Sequence, residues 1–156
     1  MIRRRISCGI DPGRDKFGFA VTEDAELLFS AVIPIERLDN TIALLASGRW
    51  SGLSLWGQEI FISAAELDDI GANVKNVLFY LGTGTGSDVF VSKLRGSELR
   101  CLPIDESYST LEGRALYWQL HPPRGLWRLV PTSLRVPPRP IDDLAAWAIA
   151  LKAKNR

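Results

Sequence analysis

Only two cysteines and one histidine occur among the 156 residues, and that scarcity removes several chemistries at once. Cys8 and Cys101 lie inside apolar runs with no second Cys or His at metal-ligand spacing, which argues against a zinc site and a disulfide framework. Both thiols are expected as reduced core residues. His121, as the sole histidine, reads as a loop residue rather than a catalytic base. No uncharged stretch reaches the roughly 18 residues of a membrane helix. Met1 to Arg5 is basic, yet the apolar stretch behind it ends at Ile10, short of a secretory core. A soluble, cytoplasmic chain with no membrane partner is expected, and no internal repeat or low-complexity tract interrupts it. Its length suits one domain over residues 1–156 with a core of its own.

Net charge is also scarce, at +1, but it is unevenly spread. Residues 1–92 carry 8 basic and 12 acidic groups, and residues 93–156 carry 11 and 6. An excess of cations in one half points to a polyanionic partner on one side of the molecule.

Three short apolar or alternating runs, Ile6 to Asp11, Phe17 to Thr22 and Leu27 to Ile33, are separated by Pro12-Gly13 and by an acidic tetrapeptide. They predict an antiparallel meander. Ile35 to Ser47 has helical spacing and stops at Gly48. Residues 49–73 show no clean period, although Glu59 to Ile70 has helical character. Val74 to Leu81 and Glu98 to Ile104 predict two further strands, and Asp88 to Leu94 a crossover helix that makes them parallel. Ser109, with Glu112 three residues on, predicts a capped helix to about Leu120. Six prolines in residues 121–140 forbid a long element there, and Ile141 to Lys154 predicts a terminal helix.

Acids recur at element ends: Asp11 after the first strand, Asp105-Glu106 after the fifth, and Asp142-Asp143 where the last helix starts. Converging carboxylates are hard oxygen donors suited to Mg²⁺ or Mn²⁺. Each also has a plainer reading, as a turn former, an exposed loop or a helix cap. Within the last pair, Asp142 shares a helical face with Ala145 and Ala146, small residues that let a helix approach a sheet. Asp142 is therefore preferred as a ligand, with Asp143 as the fallback.

The stretches "GIDPGRDKFGFAV", "IDESYSTLEGRA" and "PIDDLAAWAIAL", in that order, resemble the YqgF/RuvX family of Holliday junction resolvases or pre-ribosomal-RNA-processing nucleases. The similarity covers roughly residues 4–47 and 74–151. It implies an α/β, RNase H-like fold: a mixed five-stranded sheet, with an antiparallel three-stranded meander plus parallel strands, flanked by helices. It further implies a metal-dependent endonuclease whose catalytic and metal-binding acids fall on Asp11, Glu106 and Asp142, with Mg²⁺ or Mn²⁺ as cofactor. Two departures stand out. The family's Asp-Glu-Arg is Asp105-Glu106-Ser107 here, and its Gly-x-Pro is Gly82-Thr83-Gly84.

Branched DNA or precursor rRNA is the partner this resemblance implies, and resolving a junction would call for two active sites, hence a homodimer. Candidate contacts are Arg14 and Lys16 beside the first turn, Thr83, Thr85 and Ser87 in the glycine loop, and Arg114 in the third motif. In the acid-free proline-rich stretch, Arg124, Arg128, Arg135 and Arg139 suit phosphates and Trp127 offers a stacking plane. The glycine loop lacks the Lys of a P-loop, which argues against a nucleotide-hydrolysing domain. The competing reading keeps the fold and the nucleic-acid binding with little or no catalysis.

Overall fold

The computed structural model describes residues 5–84, 86–105, 107 and 109–155. The strands β1 (Ile6–Asp11), β2 (Lys16–Glu23) and β3 (Glu26–Pro34) form the expected antiparallel meander. A fourth strand, β4 (Gly57–Ile60), joins the free edge of β3. On the other side β5 (Leu78–Gly82) runs parallel to β1, and β6 (Cys101–Ile104) parallel to β5. The result is an α/β architecture around a six-stranded mixed sheet of order β4-β3-β2-β1-β5-β6.

The helices are α1 (Leu38–Ser47), α2 (Ala64–Ala72), α3 (Ser87–Arg95), α4 (Ser109–Leu120) and α5 (Asp142–Lys154). Gly48 closes α1 with a φ of 80°, the left-handed cap expected of it. Between residues 121 and 140 there are only two 3-10 turns, Gly125–Leu129 and Thr132–Leu134.

Three expectations need correction, and one stretch left open by its sequence resolves. The sheet has six strands rather than five, because β4 is too short to show a period and its sequence, Gly-Gln-Glu-Ile, is half polar. A helix does not begin at Glu59: the extended β4 ends at Ile60, and Ser63 with Glu66 forms a capping box that starts α2 at Ala64. The fourth predicted strand loses its first residues to a 3-10 turn, Val74–Asn76. The fifth begins at Cys101 because Glu98, at φ 64°, leaves the extended region.

Strand alternation sorts the sheet into two unlike faces. One face sends Cys8, Ile10, Phe17, Phe19, Phe29, Phe79 and Leu81 into a large apolar core shared with Trp50 and with residues of α1, α2 and α3. Edge-to-face ring contacts, Phe17 with Phe90 at 5.2 Å and Phe19 with Trp50 at 6.1 Å, fix that side. The opposite face is nearly bare of side chains at Gly9, Gly18 and Ala20, and α5 lies directly on it. A Cβ on Gly9 would fall 1.9 Å from the carbonyl oxygen of Ala146, and one on Gly18 1.8 Å from that of Asp142. Gly113 of α4 makes the same kind of approach from outside, where a Cβ would lie 2.8 Å from the amide nitrogen of Ala145. Enclosed on both sides, α5 is buried continuously from Asp143 to Ala150. Among the described residues, no helix is long and apolar enough to cross a membrane.

Replacing Gly9 by Ala forces α5 off the sheet. Urea and thermal unfolding should show a loss of about 3 kcal/mol, equivalent to a Tm lower by about 9 °C for a chain of this size. A Tm within about 2 °C of wild type would mean that the helix is not seated on the strand as described.

Candidate functional site

β1 delivers its last residue to the α5 side of the sheet. Cys8 and Ile10 point into the apolar core, so Gly9 faces α5, and Asp11, two residues further, faces the same way. In the ladder Asp11 lies opposite Gly18, the residue on which the first turn of α5 rests. Asp11 and Asp142 are therefore carried to neighbouring positions at one edge of the sheet by strand register and by glycine.

Asp142 retains 28% of its side-chain exposure, and Lys16 Nζ stands 3.9 Å from its Oδ2. Burial pushes the Asp142 carboxyl above its ordinary value. Lys16 and a backbone hydrogen bond pull it part of the way back, and Asp143 adds to the rise. A half-buried carboxylate that Lys16 only partly compensates favours additional positive charge.

Asp143 is a different kind of acid. It is fully buried, Ser30 donates to its Oδ2 at 2.6 Å, and Arg139 donates through Nη1 at 2.8 Å and Nη2 at 3.2 Å. Both oxygens are occupied by protein donors, so of the two adjacent acids it is Asp142 that keeps coordinating capacity. Burial alone would lower the Arg139 pKa, but hydrogen bonds and charges from Asp143 and Glu59 outweigh it and hold the guanidinium above its usual range.

Glu106, the third candidate acid, lies outside the described residues. Its neighbour Asp105 is exposed and closes an Asx turn, accepting from Ser107 N at 3.0 Å and Ser107 Oγ at 2.7 Å. Because β1, β5 and β6 are parallel, their C-terminal ends share the edge that carries Asp11, with β6 about 10 Å from β1 across β5. Among the described residues, no group of three or more His, Cys, Asp or Glu side chains is placed to hold a metal. Two members of the expected set, Asp11 and Asp142, are placed at one edge, and hard carboxylate oxygens there fit Mg²⁺ or Mn²⁺.

The glycine loop lies along the same edge. Thr83 is exposed and its amide donates to Ile104 O at 3.1 Å. Gly86, at φ 86°, packs against the turn after Asp11, where a Cβ would sit 3.3 Å from Gly13 O. Ser87 starts α3, and Thr85 lies outside the described residues. Arg14 and Lys16 are exposed beside this edge, whereas Arg114 is half-buried on α4. Arg124, Trp127 and Arg128 are exposed on the proline-rich loop, whereas Arg135 and Arg139, also expected at phosphates, are turned inward onto Trp118 and onto Asp143 and Glu59. The thiols are held protonated by burial, with Cys101 pushed up to about 11, so neither is a nucleophile at neutral pH.

Sequence reasoning missed one cluster. Glu59 of β4, only 8% exposed, accepts from Arg139 Nη2 at 3.1 Å through the same Oε1 that contacts His121 Nε2. The Glu59 amide in turn donates to Ser30 Oγ at 3.2 Å, which links this cluster to Asp143. A six-proline stretch carrying one His and one Arg at its ends was the available signal, but its partner sat on a strand with no period.

Compared with known proteins, the chain matches no family model, and no curated sequence matches it significantly.

Arg139→Met would leave Asp143 buried and short of its counter-charge. Denaturant unfolding should register about 3–5 kcal/mol of lost stability, and adding Asp143→Asn to that variant should restore part of it. A single variant as stable as wild type would show that the pair does not hold α5 in place.

Proposed function

We propose that this protein is an RNase H-like, divalent-cation-dependent endonuclease that hydrolyses phosphodiester bonds in structured nucleic acid. The observation that carries the reading is the seating of Asp142 on Gly18, the ladder partner of Asp11, which puts two acids from distant parts of the sequence at one sheet edge. Without its extra edge strand β4, the sheet is the meander plus parallel pair that the YqgF/RuvX resemblance implies. The +5 balance of the C-terminal part supports a polyanionic partner.

Asp11 and Asp142 would hold the cations, with Glu106 completing the set. Mg²⁺ or Mn²⁺, when bound, supplies an activated water and stabilises the leaving oxygen in an in-line attack on phosphorus. The chain's own residues do the rest. Lys16 balances Asp142, with its Nζ 3.9 Å away. Arg14, exposed beside the turn, would meet a backbone phosphate, and the glycine loop would line a second one with its side-chain hydroxyls, since its Thr83 and Ser87 amides already donate to Ile104 O and Gly84 O. Asp143 does not take part: Ser30 and Arg139 lock it, and so fix the first turn of α5 that presents Asp142.

One observation favours the non-catalytic alternative. Ser107 occupies the place where the family carries Arg, and it folds back onto Asp105 instead of adding a cation to the edge. Binding without cleavage would select that reading.

The test is cleavage of labelled junction, duplex and precursor-RNA substrates in Mn²⁺. Asp11→Asn and Asp142→Asn should each slow cleavage by at least about 100-fold, whereas Asp143→Asn should act on stability first. Cleavage by Asp11→Asn at the wild-type rate would remove the mechanism.

A further inference from the structure

Both ends of the proline-rich loop are tied to one carboxylate oxygen. His121 at its start and Arg139 at its end meet Glu59 Oε1, and both pack on the ring of Tyr117. The imidazole centroid lies 4.7 Å from that ring, and the Arg139 guanidinium 5.6 Å. A second tie holds the exit limb: Trp118 Nε1 donates to Arg135 O at 3.1 Å, and the Arg135 guanidinium stacks 5.4 Å from the Trp118 ring. The base of the loop is thus closed by buried charge and aromatic contacts.

The tip is the reverse. Residues 124–129 are all exposed, with Leu126 at 82%, Trp127 at 56% and Leu129 at 81%. There is no acid anywhere between Glu112 and Asp142. Pro122, Pro123 and Pro131 restrict the backbone on either side of the tip, which lowers the conformational freedom lost there on binding. An exposed indole between two arginines, on a loop closed at its base and without negative charge, matches the chemistry of an unpaired nucleotide, which offers a base face and a phosphate. A continuous duplex hides its base faces and offers phosphate alone.

We propose that the 122–138 loop is a preformed clasp for unpaired nucleotides. Trp127 is its stacking plane, Arg124 and Arg128 are its phosphate contacts, and Glu59 is the positioning residue that closes its base. The inference rests on the nucleic-acid reading above and narrows it to substrates with single-stranded segments, but it does not require cleavage.

Fluorescence anisotropy of the full chain in EDTA separates binding from hydrolysis. The probes are a mixed-sequence strand of about 20 nucleotides, as RNA and as DNA, and the blunt duplex of the same sequence. Wild type should prefer the single strands by at least about 10-fold, and Trp127→Leu should lose about 10-fold or more on single strands only. Arg128→Ala should weaken strand and duplex alike. Glu59→Gln leaves Trp127 and both arginines in place yet should reduce the single-strand preference, whereas Leu45→Ala, which loosens the apolar core on the opposite face of the sheet, should keep it.

Equal affinity for strand and duplex, or unchanged strand binding by Trp127→Leu, overturns the clasp. Unchanged preference in Glu59→Gln overturns the positioning role. Binding to phosphatidylserine vesicles without binding to either strand would assign the exposed leucines to a lipid surface and overturn it too. Tight, Trp127-dependent strand binding without Mn²⁺-dependent cleavage would remove the nuclease reading and leave this one standing.

Discussion

The backbone of α5 lies on the backbone of β1 and β2, and the placement of both acids at the sheet edge depends on that contact. It needs glycine at residues 9 and 18, because a single Cβ at either would occupy the space of a carbonyl oxygen. It also needs small residues on the helix, which Ala145 and Ala146 provide, and a third glycine, Gly113, where α4 closes over the outside. With the axis fixed so closely, a shift of one residue along α5 would move Asp142 off Gly18 and away from Asp11. Tight packing sets the position of the chemistry because the helix has no softer layer of side chains in which to slide.

Much of this frame can be read from sequence, for identifiable reasons. The meander shows because its strands alternate and its turns carry Pro-Gly and acidic residues. The terminal helix shows because its alanines and closing lysines agree with each other. The choice of Asp142 over Asp143 follows from helical geometry, yet the physical cause is fuller than a wheel reveals: the sheet, α4 and Arg139 surround the helix, so facing direction alone does not separate the two acids. What separates them is that Asp143 is fully buried and held by Ser30 and Arg139, whereas Asp142 stays partly exposed beside Lys16.

The parts that were illegible share one feature, which is that their meaning is supplied from far along the chain. β4 has four residues and a buried glutamate, a pattern that argues against a strand until Arg139 arrives to balance its charge and His121 to share its oxygen. Glu98 looks like the start of a strand until its left-handed φ is seen. Propensity reports local preference, and here tertiary charge pairing and backbone strain override it. The proposed site divides in the same way. Asp11 and Asp142 are found from element ends, whereas the groups that hold them in place had no local signature.

The buried charges also connect the two functional regions. Arg139 donates to Asp143 through both terminal nitrogens, and Nη2 also reaches Glu59, so the cation that steadies the first turn of α5 is the one that closes the proline-rich loop. A buried ion network of this kind is a poor source of net stability compared with apolar packing. Its value here is geometric: it fixes the loop's exit and the helix's entry at one point, three residues before Asp142. A strand held by the loop would therefore be held in register with the sheet edge, and any loosening of Glu59 would reach the first turn of α5 through Arg139 and through Ser30.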